Sequence, residues 1–519
     1  MVEGPFFDLT GNVFGRVISG ADPHCSIDIP SPCSVIIFGA SGDLTRRKII
    51  PSLYRLLAIG LLPDPFFVIG AARTPTSDAD FRASMKKAVQ EALPKDFSES
   101  SWETFSEMLY FVQIDYDGSE SYVGLRDKIQ DLEAKHATGG NRIYYLATPP
   151  AVYEPVIENL GLAGLSQEEG AYRHIVVEKP IGSDLESARH LNQTLAASFG
   201  ERQIYRMDHY LAKETVQNIL MFRFANSLFE PVWNKMYIDH VEITASETLG
   251  VEHRAGYYEQ AGVIRDMFQN HIFQLLALTA MEPPVLFDAE RVRDEKVKVL
   301  RAIRPFDLED LGSQVVTGQY DSGSVSGSDV PAYRDEPGVS PGSTTPTYAA
   351  MKVHIDNWRW SGVPFYLRSG KRLAARKAEI AIHFRPVPHL MFSQAMADGI
   401  APNVLILRVQ PDEGIGLHFQ AKNPGSRVCL NTVLMNFSYQ NAFVLDGYER
   451  VLLDCMQADQ MLFVRADGVE QAWAVLTPVI ERLTALARPG DLPNYPAGSS
   501  GPAGADDLLK RDGRQWRAL

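Results

Sequence analysis

The sequence predicts an α/β unit followed by an α+β unit: an N-terminal doubly wound parallel sheet, then a larger domain with a mostly antiparallel sheet and helices. Three observations carry this prediction. The chain has 519 residues, more than one hydrophobic core usually organises. From residue 34 to about 210, apolar strand-like runs alternate with amphipathic helical stretches. Beyond that point, strands with period-two character succeed one another across turns too short to hold crossover helices.

Residues 1–33 have no steady periodicity and read as an N-terminal extension. The strands of the first unit are expected at 34–40, 66–73, 109–114, 142–148, 174–180 and 203–209, with helices such as 78–93 and 184–199 between them. Continuously apolar strands separated by helices indicate a sheet covered on both faces, so residues 34–210 form a Rossmann-like unit. In the second unit, 211–487, two helical stretches precede strands at 240–247, 348–356, 379–385, 404–410 and 432–439. A Ser/Gly/Pro/Asp-rich stretch, 321–346, reads as a surface loop, and the Gly-, Pro- and Ala-rich tail, 488–519, as irregular.

The composition, 45% hydrophobic and 22% charged, is ordinary for a globular protein. No apolar run approaches the roughly 20 residues of a membrane span. The N-terminus lacks the basic patch and apolar stretch of a secretory signal. Cys25, Cys33, Cys429 and Cys455 have no paired metal-like spacing, so no metal site is expected. They read as free thiols of a reducing cytoplasm. A net charge of −14 argues against nucleic acid, which is held by basic surfaces. A small phosphorylated substrate stays possible only if a few named cations make a local pocket for it.

The first strand runs into Gly39-Ala-Ser41-Gly42-Asp43-Leu44 and then a helical stretch. Glycines at such a turn let backbone approach a pyrophosphate resting on the helix N-terminus. GxxG alone is equally a plain tight turn. Arg73, just past the second strand, favours the dinucleotide reading and specifically NADP, because a cation there suits a 2′-phosphate where an acid would bind ribose hydroxyls. Farther on, His209 and Lys213 are four residues apart, so on a helix they share a face. With the Tyr210 hydroxyl they make either a phosphate site or a solvated helix face. Ile264, Met267, Phe268, Leu275 and Leu278 form an apolar helical stripe containing His271. That histidine is a satisfied core residue, or, given Asp208 and Asp266, a general base oriented by a carboxylate.

Six segments in order, GASGDL, EKPIG (178–182), RMDHYLAKETVQN (206–218), IRDMFQNH (264–271), VRDEKVKVL (292–300) and RSGKRLAARKAEI (368–380), resemble the signature segments of the glucose-6-phosphate dehydrogenase family. The resemblance covers about 34 to 485. It implies oxidation of glucose 6-phosphate at C1 with hydride transfer to NADP, His271 acting as base and Asp208 orienting it. It implies substrate contacts at Lys179, His209, Tyr210, Lys213, Glu247, Asp266, Lys371 and Arg376, with His209, Tyr210 and Lys213 at the phosphate. Cofactor contacts follow at Gly39, Ser41, Gly42, Asp43, Leu44, Arg73 and Lys179, and a cis bond before Pro180. A cytoplasmic homodimer or homotetramer built through the large domain is also implied. Met207 and Ala212 depart from the family's RIDHYLGKE but leave the functional side chains intact. Some relatives hold a second, structural NADP. Arg368, Lys377 and Arg408 are compatible with it, whereas Ala381, Gly416, His418 and Ser500 fall where basic or tyrosyl partners would be expected. That second site is expected to be absent or weak. A glucose–fructose oxidoreductase-like enzyme, a luminal hexose-6-phosphate dehydrogenase and a non-catalytic NADP-binding relative are the rival readings. The phosphate cluster, the lack of a signal peptide and lactonase-like extension, and the presence of His271 with Asp208 disfavour them in turn.

Overall fold

The computed structural model describes residues 12–14, 27–389, 400–422, 430–438, 445–488, 490 and 492–519. The N-terminal sheet has six parallel strands in the order Leu109–Gln113, Phe66–Ala72, Cys33–Phe38, Arg142–Leu146, Arg173–Val177, Ile204–Arg206. Five of these strands are buried along their whole length, which is why they read as largely continuous apolar runs rather than alternating ones. The strand order reverses between Cys33–Phe38 and Arg142–Leu146, and an open α/β sheet binds its ligand in the crevice at such a point. Helices Ser119–His136, Tyr153–Leu162 and Leu185–Ser198 cover one face. Ile50–Ala58, Asp78–Ala92 and Glu99–Glu107 cover the other, joined there by Gly447–Met456 from much later in the chain. Ser77 and Asp184 cap their helices, Asp184 in a capping box with Ser187.

The large sheet has ten strands, ordered Asn12–Phe14, Leu430–Ser438, Gly414–Lys422, Val404–Gln410, Lys377–Phe384, Ile238–Ser246, Pro364–Gly370, Tyr348–His354, Val315–Asp321, Asn494–Pro496. Neighbours are antiparallel except for Ile238–Ser246 against Pro364–Gly370 and the two edge pairs. The sequence reading missed Val315–Asp321, Pro364–Gly370 and Gly414–Lys422. Pro364–Gly370 is buried on both faces, so it lacks a period of two, and its proline and glycine imitate turn signals.

Two further expectations are corrected. The stretch 321–346 includes a small hairpin, Gly323–Val325 with Ser328–Val330, and a short helical turn carrying the fully buried Tyr333. The tail after 488 is not irregular. It adds the strand Asn494–Pro496 to the large sheet and the helix Ala503–Lys510 above it. Its few large apolar residues, Tyr495, Leu508 and Leu509, pack with Tyr320, Tyr348 and Tyr366 in a core of their own; average composition concealed them. Cys33 and Cys455 are buried free thiols, while Cys25 and Cys429 lie outside the described residues. Leu509 is fully buried, so Leu509→Ala is expected to cost about 2–5 kcal/mol, read as a lower urea midpoint; an unchanged midpoint would mean the tail adds nothing to the fold.

Candidate active site

The glycine turn closes tightly. Gly39 has φ +89, and a Cβ there would lie 2.5 Å from the Ala147 carbonyl oxygen on the neighbouring strand end; no side chain fits. The Gly42 amide donates to Gly39 O at 2.9 Å, and the Thr45 hydroxyl donates to the same oxygen at 3.1 Å. Ser41 and Asp43 are exposed on the turn, Leu44 is partly buried, and the helical stretch Thr45–Ile49, Ile50–Ala58 follows at once. Arg73 is exposed one residue past Phe66–Ala72, its guanidinium 5.8 Å from the Tyr116 ring. The turn and Arg73 therefore sit at the carboxyl ends of adjacent strands, the end at which an open α/β sheet takes a dinucleotide, and glycine is required at 39 because the Ala147 carbonyl fills the place of a Cβ.

The chemistry gathers where the two sheets meet. Arg173–Val177 leads into Lys179, whose bond to Pro180 is cis, and Ile204–Arg206 leads into Asp208. Asp208 Oδ1 accepts from the Tyr210 amide at 3.0 Å. This side-chain turn competes with helix formation, so residues 207–212 stay non-helical and the helix Glu214–Phe224 begins only after Lys213. The expectation that His209 and Lys213 share a helix face is thus wrong. The turn nevertheless brings them close enough for the Lys213 charge to weigh on His209.

His271 is not on an α-helix either. Gly262, at φ +59, turns the chain into a π-helix, Ile264–Ile272, before the fully buried α-helix Phe273–Ala280. In a π-helix residue i stands over i+5, so Asp266 and His271 align, and both reach Lys179. Lys179 Nζ lies 3.2 Å from Asp266 Oδ1, 3.1 Å from Asp266 O and 3.0 Å from His271 Nε2. On the other side of the ring, His271 Nδ1 is 2.5 Å from Asp208 Oδ1. Tyr210 stacks on the imidazole at 4.2 Å and His209 meets it edge-on at 4.6 Å.

The electrostatics follow from burial and these partners. Burial pushes His271 below the usual imidazole value; Asp208 pulls it up and Lys179 pushes it down, leaving it lowered. Asp208 is ionised despite burial because His271, His209 and Lys179 hold it at about 2. Burial works against the Lys179 ammonium, but Asp266, Tyr257 and Asp208 outweigh it and raise its pKa. His209 is driven well below the imidazole range by burial and by the charges of His271 and Lys179. The imidazole therefore has Nδ1–H held by Asp208 and its lone pair on Nε2, where it accepts from the Lys179 ammonium; this is the tautomer a general base needs.

The remaining predicted residues lie around this centre. Glu247 accepts from Lys371 Nζ at 2.6 Å, and the charges of Glu247 and Arg376 both act on the Tyr210 hydroxyl. Lys213 faces Glu413 at 4.0 Å. The sequence reading missed four members. Tyr257 donates to Asp266 at 3.3 Å, Tyr258 lies under the Lys371 ammonium at 5.2 Å, and Gln410 donates to the Tyr210 hydroxyl at 3.2 Å. Lys296, in the VRDEKVKVL segment, is buried with its ammonium lacking a hydrogen-bond partner among the described residues; burial pulls it to about 8 against the charge of Asp208. No local spacing links these four to the others.

The chain matches family models for glucose-6-phosphate dehydrogenase over both parts: the NAD binding domain at residues 36–218 and the C-terminal domain at 220–517. It is 45% identical over 497 residues to a glucose-6-phosphate 1-dehydrogenase of Chlamydia pneumoniae, covering 94% of this chain and 96% of that one. It is 46% identical over 488 residues to one of Aggregatibacter actinomycetemcomitans, covering 93% and 97%. A solved glucose-6-phosphate dehydrogenase in complex with glucose-6-phosphate superposes with a TM-score of 0.85 at 36% identity, covering 95% of this chain and all of that one. The enzyme from Mycobacterium avium gives 0.78 at 33% identity, covering 94% and 99%. A test of the site's electrostatics is an NMR titration of His271. Lys179→Met, which removes a cation 3.0 Å from Nε2, should raise the imidazole pKa, and Asp208→Asn should lower it; shifts of the opposite sign would refute the assigned partners.

Proposed function

The chain belongs to the glucose-6-phosphate dehydrogenase family, and we propose that it oxidises D-glucose 6-phosphate at C1 to 6-phospho-D-glucono-1,5-lactone, the first step of the oxidative pentose phosphate pathway, with His271 as base and Asp208 orienting it. The observation that carries this reading is the buried Asp208–His271–Lys179 array. As the C1–H departs as hydride, His271 Nε2 takes the proton of the C1 hydroxyl. The positive charge then formed on the imidazole is stabilised by Asp208, 2.5 Å from Nδ1. Bound NADP supplies the hydride acceptor. Lys179, tied to Asp266 and adjacent to Nε2, keeps that nitrogen unprotonated between turnovers and offers a proton donor to the same sugar oxygen. Glu247 and Asp266 accept from sugar hydroxyls, with Lys371 and Arg376 beside them.

Phosphate recognition falls to His209, Tyr210 and Lys213. Tyr210 stays protonated because burial, Glu247 and Asp208 raise its pKa, and since it accepts from Gln410 its own proton is free for a phosphate oxygen. Binding at this remote dianion fixes C1 against the base. Gly39, Gly42, Asp43 and Leu44 cradle the pyrophosphate end of NADP, with Ser41 and Arg73 at its 2′-phosphate. With the domain division at about 210, the coenzyme contacts fall before it and the sugar is held from both sides, by Lys179 and His209 before it and by Lys213, Glu247, Asp266, Lys371 and Arg376 after it. The large sheet is the natural surface for a homodimer or homotetramer, and buried free thiols suit a cytoplasmic setting. A second NADP would compete with the chain itself, because Arg368 donates to Arg517 O, Lys377 to Ala518 O and Arg408 to Asn436.

NADPH formation with glucose 6-phosphate against glucose, and with NADP against NAD, tests the reading; preference for the unphosphorylated sugar would replace it by a glucose–fructose oxidoreductase-like activity. His271→Asn should lower kcat by about 10²–10⁴-fold with KM little changed, and near-normal turnover would end the base assignment. Lys213→Ala should raise KM for glucose 6-phosphate more than it lowers kcat.

A further inference from the structure

On the large sheet, away from the reacting groups, His240, Glu242 and His383 converge. His240 and Glu242 are two apart on the strand Ile238–Ser246, so they share a face. His383 stands directly across from His240 in the antiparallel neighbour Lys377–Phe384. Opposite Glu242 is Ala381, whose small side chain leaves the carboxylate free to turn toward His383. The two imidazoles stack at 4.0 Å. Their Nε2 atoms lie 3.5 and 3.0 Å from Glu242 Oε1, yet all three atoms are buried without satisfied hydrogen-bond geometry. Donors bonded to one tetrahedral ion at about 2.0–2.1 Å stand about 3.3 Å apart, and 3.0 and 3.5 Å bracket that spacing.

The outer contacts also suit a metal. His240 Nδ1 is 2.8 Å from Asp239 Oδ2, which fixes the tautomer with its lone pair on Nε2. Asp239 is held at both oxygens by Arg514, at 2.8 and 2.9 Å. Glu242 Oε2 accepts from the Arg517 amide at 2.9 Å, so only Oε1 remains to ligate. We propose that His240, Glu242 and His383 bind one divalent ion of the zinc class, with water in the remaining position, and that the ion fastens residues 514–517 to the sheet. Glu379, Arg517, His418, Arg368 and Tyr366 are further charged or titratable groups around it.

The probe is zinc chloride added to the metal-stripped full chain, followed by calorimetry, with cobalt as the spectroscopic stand-in. The expected result is one equivalent of zinc per chain, a tetrahedral cobalt absorption band and a higher melting temperature. His383→Gln and Glu242→Gln should each lose the equivalent and the band. Asp239→Ala should weaken binding by about 10–100-fold. His271→Asn should keep the full equivalent, which separates this site from the Asp208–His209–His271 group. Failure of the unaltered chain to take up zinc, or loss of the equivalent in His271→Asn but not in His383→Gln, would overturn the proposal.

Discussion

The contact between Asp208 and His271 constrains the rest of the molecule most tightly. Both side chains are about 1% exposed, and removing an ion from water costs several kcal/mol even after the protein relaxes. The pair persists because Asp208 Oδ1 takes both the His271 Nδ1 proton and the Tyr210 amide, and because the neighbouring His271, His209 and Lys179 offset the burial of a carboxylate whose Oδ2 has no hydrogen-bond partner among the described residues. One partner hangs from the last strand of the parallel sheet and the other from a helix packed against the large sheet. Their contact therefore requires the two sheets to dock in one way. Around it the elements are shared rather than divided: Gly447–Met456 covers the N-terminal sheet, and Trp473 on the helix Ala466–Leu486 donates to Ile181 O at 2.8 Å, two residues from Lys179.

The opposition of Asp208 and Lys179 across one imidazole explains how a buried histidine can remain a base. Asp208 alone would favour the charged ring and hold a proton on it; Lys179 alone would make the ring too weak to accept one. Placed on opposite nitrogens, they fix the tautomer while leaving the pKa below its ordinary value. This needs Asp266 as well, since Lys179 keeps its charge under burial mainly through that carboxylate. The π-helix is what places Asp266 and His271 on one side of the chain, five residues apart. Here a departure from regular geometry brings to one cation two side chains that an α-helix would separate.

Much of this was legible locally. The alternating unit, the glycine turn and the strand at 404–410 follow from periodicity and turn chemistry, and the ordered segments pointed to every residue of the array. What escaped was set by long-range packing. His271 on an apolar stripe reads the same whether the helix is α or π, because hydrophobic spacing does not register one extra residue per turn. His209 and Lys213 read as a helical pair because nothing in their spacing reveals that Asp208 will take the Tyr210 amide first. Gln410 and Lys296 come from distant segments that only the closed fold makes neighbours, and Tyr257 reaches Asp266, nine residues on, across the turn at Gly262. The tail differs for another reason: a few large side chains, among them Tyr495, Leu508, Leu509 and Trp516, decide its fate, and a composition average hides so few.

The polar face of the large sheet shows the same logic applied to ligand competition. Arg408 extends across Gly414 and Gly416, where an added Cβ would come within 2.7 and 3.1 Å of its guanidinium; the glycine at 416 makes room for this arginine. Arg368 lies under Trp516 at 4.4 Å and donates to Arg517 O, while Lys377 donates to Ala518 O. Three cations that could have met a phosphate are thus satisfied by the chain's own backbone and an amide. A dinucleotide arriving here would have to displace a segment whose Leu508, Leu509 and Trp516 are packed into apolar surroundings, and the charge it brought would meet Glu242 and Glu379 on the same strands. The cost falls on the ligand, because the intramolecular segment is always present at high effective concentration.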